Sequence, residues 1–460
     1  MSDSNDNSLE KSKNTLIDKN LLLDLFTFGV EEVKPQKLLP KYFKIEGSKE
    51  VLIGNKIYRN FKSLIPICIG KASVEMGKCF NKIIYRNKSK INFVVKKGFI
   101  VVNEENFKNI ENFHCFISGH PLPNKEGINA VSFLKNFLKT FGEEDLIILM
   151  LSGGGSAMLP SPPKTISLND KILVNKLLLS VGANIKEINT VRKHLSSFKG
   201  GNFLRYSYPA TTSSLIISDV VGDDLSSISS GLTVPDNTSF EDAIEICKRY
   251  DFWNNLPKNV KEHLINGSKN FELETPKENN EIFKTCANKI IASNSISLNT
   301  IKKNLDSLKN ELECKFWEKN VEGNVKDVAL RLVKFALNQS YKKPLILLSG
   351  GETTVKIYGE GKGGRNQEFA LYVCLYMNKL MPKKKFLFLS AGTDGRDGPT
   401  DSAGGIVDHN ATSLCKKNNL DLKKELNNNN SYYVLEKINS HIKIKGTNTN
   451  VADIQIFALL

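Results

Sequence analysis

Leu146-Ile147-Ile148-Leu149-Met150-Leu151-Ser152-Gly153-Gly154-Gly155-Ser156-Ala157 decides the fold: a short, uninterrupted apolar run passes straight into serine and three glycines. A run of this length without alternation predicts a strand buried on both faces, as in a parallel sheet. The glycines bare backbone N–H groups where a helix opens, which suits an anion. A plain tight turn is the alternative, and the buried strand feeding the loop favours anion binding.

The same grammar recurs outward from this stretch. Leu64–Ile69 predicts a strand that ends in Gly70-Lys71-Ala72-Ser73, with a helix over Ser73–Ile84. Leu215–Ser218 ends at Asp219, and Lys289–Ala292 ends at Ser293-Asn294. The pattern restarts with Leu345–Leu348 before Gly350-Gly351-Glu352, then Lys385–Leu389 before Gly392-Thr393-Asp394, and closes with Ile454–Leu459. Strands alternating with helical periodicity predict an α/β protein of mainly parallel sheet. At 460 residues one core is too few, so two domains are expected. The weakly patterned stretch 305–324 is the expected junction, giving a tail at 1–14, an N-terminal domain at 15–320 and a C-terminal domain at 325–460. The Asn-rich segment 426–431 reads as mobile.

Composition excludes several classes. The net charge is +15, but the lysines are scattered and no aromatic–basic platform accompanies them, so nucleic acid is not expected as a partner. No apolar run approaches the roughly 18 residues a membrane span needs, and the polar N-terminus resembles no signal or transit peptide. The cytoplasm is the expected setting. The eight cysteines form no CxxC or other metal spacing, which points to reduced thiols.

Chemistry concentrates at the strand ends, where ligands bind in open α/β sheets. Lys71 places a cation at a strand-to-helix turn, suited to phosphoryl transfer. Alone, such a lysine is more often simply solvated, and Ala72 after it excludes a Walker A loop. Asn189, Arg192 and Lys193 share a helix flank ahead of Lys199-Gly200-Gly201, while His194 borders the apolar stripe and reads as structural. Asp219 is the best-placed carboxylate for Mg²⁺ or for a base, whereas Asp223 and Asp224 could cap the next helix. Arg365 opens a helix after Gly361-Lys362-Gly363-Gly364, placed as a phosphate or carboxylate fork. Asp394 lies in a loop with Asp397 and Asp401, which reads as a metal or hydroxyl site or as plain Asx-turns.

In this order, GKAS, GHPLPN, SGGGSAML, NTVRKHLSSFKGG, ISDVVGDD, SGGETTV, GKGGRNQEFAL, SAGTDGRDGPTDSAGG and KGTNTNVADI resemble the class II glycerate kinases, whose C-terminal part is called the MOFRL domain. The resemblance spans residues 70 to 454. It implies a larger Rossmann-like N-terminal domain, a smaller α/β C-terminal (MOFRL) domain, and an active-site cleft between them. It implies ATP and a divalent metal, Mg²⁺, as cosubstrates, and phosphorylation of D-glycerate to 2-phosphoglycerate. The family's lysine, aspartate, glutamate and arginine fall on Lys71, Asp219, Glu352 and Arg365. Leu232 and Asn324 depart from the family pattern.

The combined expectation has ATP phosphates on Gly153, Gly154, Gly155, Ser156 and Lys199, and substrate near Asn189, Arg192 and Asp394. Asp219 and Glu352 are candidates for metal or base, and Arg365 for the glycerate carboxylate. A homodimer is an open expectation. A nicotinamide-dependent hydroxyacid or hydroxypyruvate dehydrogenase is the rival enzyme, but it requires GxGxxG after the first strand. A basic polyanion-binding protein is the nonenzymatic rival.

Overall fold

The computed structural model of the chain describes residues 17–460, so the expected tail at 1–14 lies outside the described residues. Two compact units emerge. The first comprises Val30–Ser297 and Gly446–Ala452; the second comprises the described residues up to Gly29, Leu298–Lys445 and Asp453–Leu460.

The first unit is built on β1 (Ser63–Ile69), β2 (Gly98–Asn103), β3 (Phe113–Ser118), β4 (Asp145–Leu151), β5 (Thr211–Ile217) and β6 (Cys286–Ala292). All neighbours pair in parallel, in the order β6-β5-β4-β1-β2-β3. A two-residue strand, Val94–Val95, also pairs with β1. This is the order of the dinucleotide-binding fold, and its topological switch point falls between β1 and β4. Alternation explains why these strands are apolar throughout. Leu64, Cys68, Ile148 and Met150 fill one core, while Ile65, Ile67, Ile147 and Leu149 fill the other, so both faces are covered.

Helices α1 (Ser73–Arg86) and α2 (Lys125–Leu138) cover those two faces, α1 through Met76 and Phe80, and α2 through Ala130, Val131 and Leu134. Helices α3 (Leu168–Ser180) and α4 (Ile185–His194) each open on a capping box, Ser167 with Asp170 and Asn184 with Glu187, which satisfies the first free N–H groups reciprocally. Lys193, on the flank opposite the apolar stripe, is buried and donates to Asp236 Oδ1 at 3.1 Å. His194 is structural as expected, lying between Thr190 O at 2.7 Å and Glu274 Oε1 at 2.9 Å.

The second unit carries a mixed sheet of β7 (Glu313–Asn324), β8 (Leu345–Thr354), β9 (Phe386–Gly392), β10 (Gly404–Asp408), β11 (His441–Ile442) and β12 (Asp453–Leu459). The order is β7-β8-β12-β9-β10-β11, parallel only between β7 and β8. Helix α5 (Val325–Leu337) and the long, largely buried α6 (Arg365–Leu380) pack on it, with Phe369, Val373 and Met377 in the core.

Two expectations change here. The stretch read as a domain junction, 305–324, contains β7, and the division between units falls at 297/298. The strand was illegible because it is an edge, and Lys315, Glu318, Lys319 and Glu322 along it are the charges that protect edges from further pairing. The segment 426–431 is held by hydrogen bonds. Asn429 accepts from Tyr358 N at 2.7 Å and donates to Lys356 O at 3.0 Å and Glu368 Oε1 at 2.9 Å.

Removing one member of the buried Lys193–Asp236 pair should be costly, since the other charge stays buried. Asp236→Ala is expected to lose about 3–5 kcal/mol in urea unfolding, whereas an exposed pair such as Lys258–Glu262 should tolerate the same change with no comparable loss. Equal small losses at both sites would contradict the structural role given to Asp236.

Candidate active site

The ends of β1 and β4 are laced together at the switch point. Ser152 N donates to Ile69 O at 2.9 Å, Lys71 N to Gly153 O at 2.9 Å, and Ala72 N to Ser152 Oγ at 3.0 Å. Gly70 makes this possible. Its φ is +109°, and a Cβ there would lie 2.3 Å from Ser152 O. Lys71 is thereby fixed at the mouth of α1. On the other side, a Cβ on Gly153 would meet Asp219 Oδ2 at 2.0 Å, so the carboxylate at the end of β5 rests against the glycine loop. Asn450 Nδ2 also approaches Asp219 Oδ2, at 3.5 Å. The structure therefore brings Lys71, the Gly153–Gly155 loop and Asp219 to one edge. Asp224 accepts from Ser226 and Ser227 as a local cap, as one reading of the sequence had it.

Ser156 begins a second network. Its hydroxyl lies 2.8 Å from Ser230 Oγ, which also bonds Asn189 Oδ1 at 3.2 Å. Asn189 Nδ2 is buried without a hydrogen-bond partner, a donor aimed at no protein acceptor. Lys199, itself buried, donates to Ser156 O at 2.6 Å and to Ser156 Oγ at 2.9 Å. Beside these groups lies a cavity of about 200 Å³ lined by Lys171, Arg192 and Lys199, with Pro121, Ile172, Val174 and Leu178 among its apolar walls. His120 also lines it, and burial together with Lys71 pushes that imidazole down to about 4, so it is neutral near pH 7.

The second unit gathers a different set. Arg365 donates through Nε and Nη2 to Asp453 Oδ2 and Oδ1 at 2.6 and 3.0 Å, and through Nη1 to Glu352 Oε1 at 2.6 Å. Burial would lower this guanidinium's pKa, but Asp453 and Glu352 hold it raised. The fork expected for a ligand is thus engaged by Asp453. Asp453 reaches this edge because β12 runs antiparallel to both neighbours and pairs there with Gly351 and Gly392. Asp394 lies nearby; a Cβ on Gly392 would meet Asp394 Oδ1 at 3.3 Å and Asp453 Oδ1 at 3.5 Å. Asp397 accepts from the N–H groups of Asn366 and Gln367 at the start of α6, and Asp401 from the Tyr432 hydroxyl, so both are structural. A cavity of about 470 Å³ beside Arg365 is lined by Glu352, Glu368 and Asn429. Among the described residues no cluster of three or more His, Cys, Asp or Glu side chains is arranged to hold a metal, and no helix is long and apolar enough to cross a membrane.

Residues 21–265 match a family described as a domain of unknown function, DUF4147, and residues 345–453 match the MOFRL family. A glycerate 2-kinase of Pyrococcus horikoshii is 35% identical over 93% of this chain and 94% of its own. The chain belongs to the glycerate 2-kinase family. The structure of a glycerate kinase from Thermotoga maritima, 30% identical, covers 96% of this chain and 99% of its own at a TM-score of 0.79. A putative hydroxypyruvate reductase of Agrobacterium vitis is 35% identical over 74% of this chain and 86% of its own.

The sequence reading did not single out Lys171, and it gave no role to His120, Glu368 or Asp453, which fall within the motifs GHPLPN, GKGGRNQEFAL and KGTNTNVADI. Lys171 carried a signal. It lies on one stripe with Val174 and Leu178, and a lysine on the apolar stripe of a helix is either paired or functional. Asp453 lay in a quoted motif, but its pairing with Arg365 was not legible there, because its placement depends on strand direction.

Glu368 gives a test of this surface. Burial raises its carboxyl to about 7, Asn429 opposing and Asp397 adding to the rise. The folded state therefore binds this proton more tightly than the unfolded state, and its contribution to stability is lost as pH rises from about 4.5 towards 7. Glu368→Gln should be more stable than the parent by about 1–3 kcal/mol at about pH 8 and show little gain at about pH 5. Identical pH slopes in urea unfolding would count against the buried acid.

Proposed function

We propose that the chain transfers the γ-phosphoryl group of ATP to the C2 hydroxyl of D-glycerate, giving 2-phosphoglycerate, ADP and the hydroxyl proton. Its family membership supports the reaction. The observation that carries the reading within the fold is Lys71 at the switch point. A nicotinamide enzyme of this topology needs a glycine-rich GxGxxG turn there, and Gly70-Lys71-Ala72-Ser73-Val74-Glu75 supplies a cation instead.

In this reading the phosphates lie on the Gly153–Gly155 backbone, with Ser156 and Lys199 at their side. Lys71 stabilises charge that builds on the transferred group. Mg²⁺ is usually held by one or two carboxylates and substrate phosphates, so the absence of a larger acidic cluster is compatible with it. Asp219, set against the glycine loop, fits as the ligand. Such an ion would neutralise phosphate charge. Glu352 is tied to Arg365, which leaves it as an alternative ligand or as the acceptor of the hydroxyl proton. Asn189, Arg192, Asp394 and Arg365 are proposed for substrate. The reading includes small-molecule partners without nucleic acid, a cytoplasmic setting and a homodimer as its oligomer.

Phosphorus NMR of the product is the direct test: 2-phosphoglycerate is expected, with turnover abolished by EDTA and restored by Mg²⁺. A 3-phosphoglycerate product, or NADH-dependent reduction of hydroxypyruvate without phosphoryl transfer, would overturn the reading. Lys71→Ala should lower kcat/KM by at least about a hundredfold with an unchanged circular-dichroism spectrum. Activity within a few-fold of the parent would remove Lys71 from the chemistry.

A further inference from the structure

Three cations line the cavity beside Ser156, and none has a carboxylate partner. Lys171 donates to Leu195 O at 2.9 Å, Lys199 to Ser156, and Arg192 Nε to Asn175 Oδ1 at 2.8 Å. Each of these acceptors is neutral, and no Asp or Glu lines the cavity. Lys171 and Lys199 are almost wholly buried. Elsewhere this chain buries a lysine by pairing it, as Lys193 with Asp236. Isolated charges removed from water are strongly unfavourable, so a site that collects three of them is built for charge brought from outside.

We propose that this cavity is the polyphosphate-binding site of the enzyme, and that Lys171 is a binding residue for it. The proposal deepens the kinase reading, rests on it for the identity of the nucleotide, and moves Arg192 from the acceptor substrate to the phosphate chain. Charge matching selects a polyphosphate over a monocarboxylate. A single carboxylate would leave two of the three cations uncompensated, whereas a triphosphate chain can meet all three. Ser156, the Gly154 backbone and the neutral His120 add polar contacts on the same wall. The apolar residues of α3, Ile172, Val174 and Leu178, form a surface for the nucleoside.

The titration behaviour agrees. Burial, then Arg192 and Lys135, lowers Lys171 to about 7, and burial with Lys171 and Arg192 pushes Lys199 well down. The groups facing Lys171 are thus Arg192, Lys199 and the nearby Lys135, all basic, with a neutral His120. The empty cavity sheds protons, and a bound polyanion recovers them.

Calorimetry without glycerate separates this inference from the identity of the acceptor. Inorganic tripolyphosphate and ATP are titrated separately into the parent and Lys171→Met, in buffers of different ionisation enthalpy. Lys171→Met should weaken both ligands at least about tenfold (about 1.4 kcal/mol or more) and take up fewer protons on binding. ATP tighter than tripolyphosphate assigns the site to a nucleotide, and equal affinities assign it to the phosphate chain alone; both keep the proposal. Lys171→Gln serves as the second variant if the methionine protein does not fold. Parent-like affinity with parent-like proton uptake in a folded variant overturns the proposal, as does a parent protein that binds neither ligand.

Discussion

The hydrogen bonds that join the ends of β1 and β4 are the constraint on which the first unit's site depends. Ser152 bridges the two strand ends through its backbone N–H and its hydroxyl, so the Gly70–Lys71 turn and the glycine loop move as one piece. The close approach of Gly70 to Ser152, and of Gly153 to Asp219, is possible only because no Cβ intervenes. Backbone fixed against backbone is stiff, and stiffness at an anion site limits reorganisation when charge arrives.

That architecture also accounts for what could be read from residues alone. The apolar runs were legible because parallel strands are buried on both faces, and β1 and β4 differ from the expected Leu64–Ile69 and Leu146–Leu151 by one residue each. The placement of Lys71, Asp219 and the glycine loop at neighbouring strand ends was legible because each follows a buried apolar run. The strand β7 was hidden by its edge charges. Asp453 was hidden because periodicity carries no direction, and only an antiparallel β12 delivers its first residue to the edge where β8 and β9 end. Arg365 was read as a fork awaiting a ligand, yet its fork was already taken from within the chain.

The two units handle charge in opposite ways. Arg365 is neutralised by two carboxylates and its positive charge is reinforced. The cations beside Ser156 face one another without acids, and their lysines lean towards neutrality. The first arrangement holds a guanidinium in a defined position. The second is an electrostatic deficit that a guest would relieve, so the same residue types do different work according to what is placed beside them.

Strand β12 has a consequence for how the protein is made. It lies between β8 and β9, which pair with it and not with each other. On the ribosome, the second unit's sheet therefore exists as two separate pieces until β12 emerges, whereas the first unit's parallel sheet is complete in sequence by Ala292. Domains generally fold as units during synthesis. The first unit's sheet can assemble while later residues are still being added, and the second must wait for β12 with the edges of β8 and β9 bare, an interval in which chaperones have most to protect.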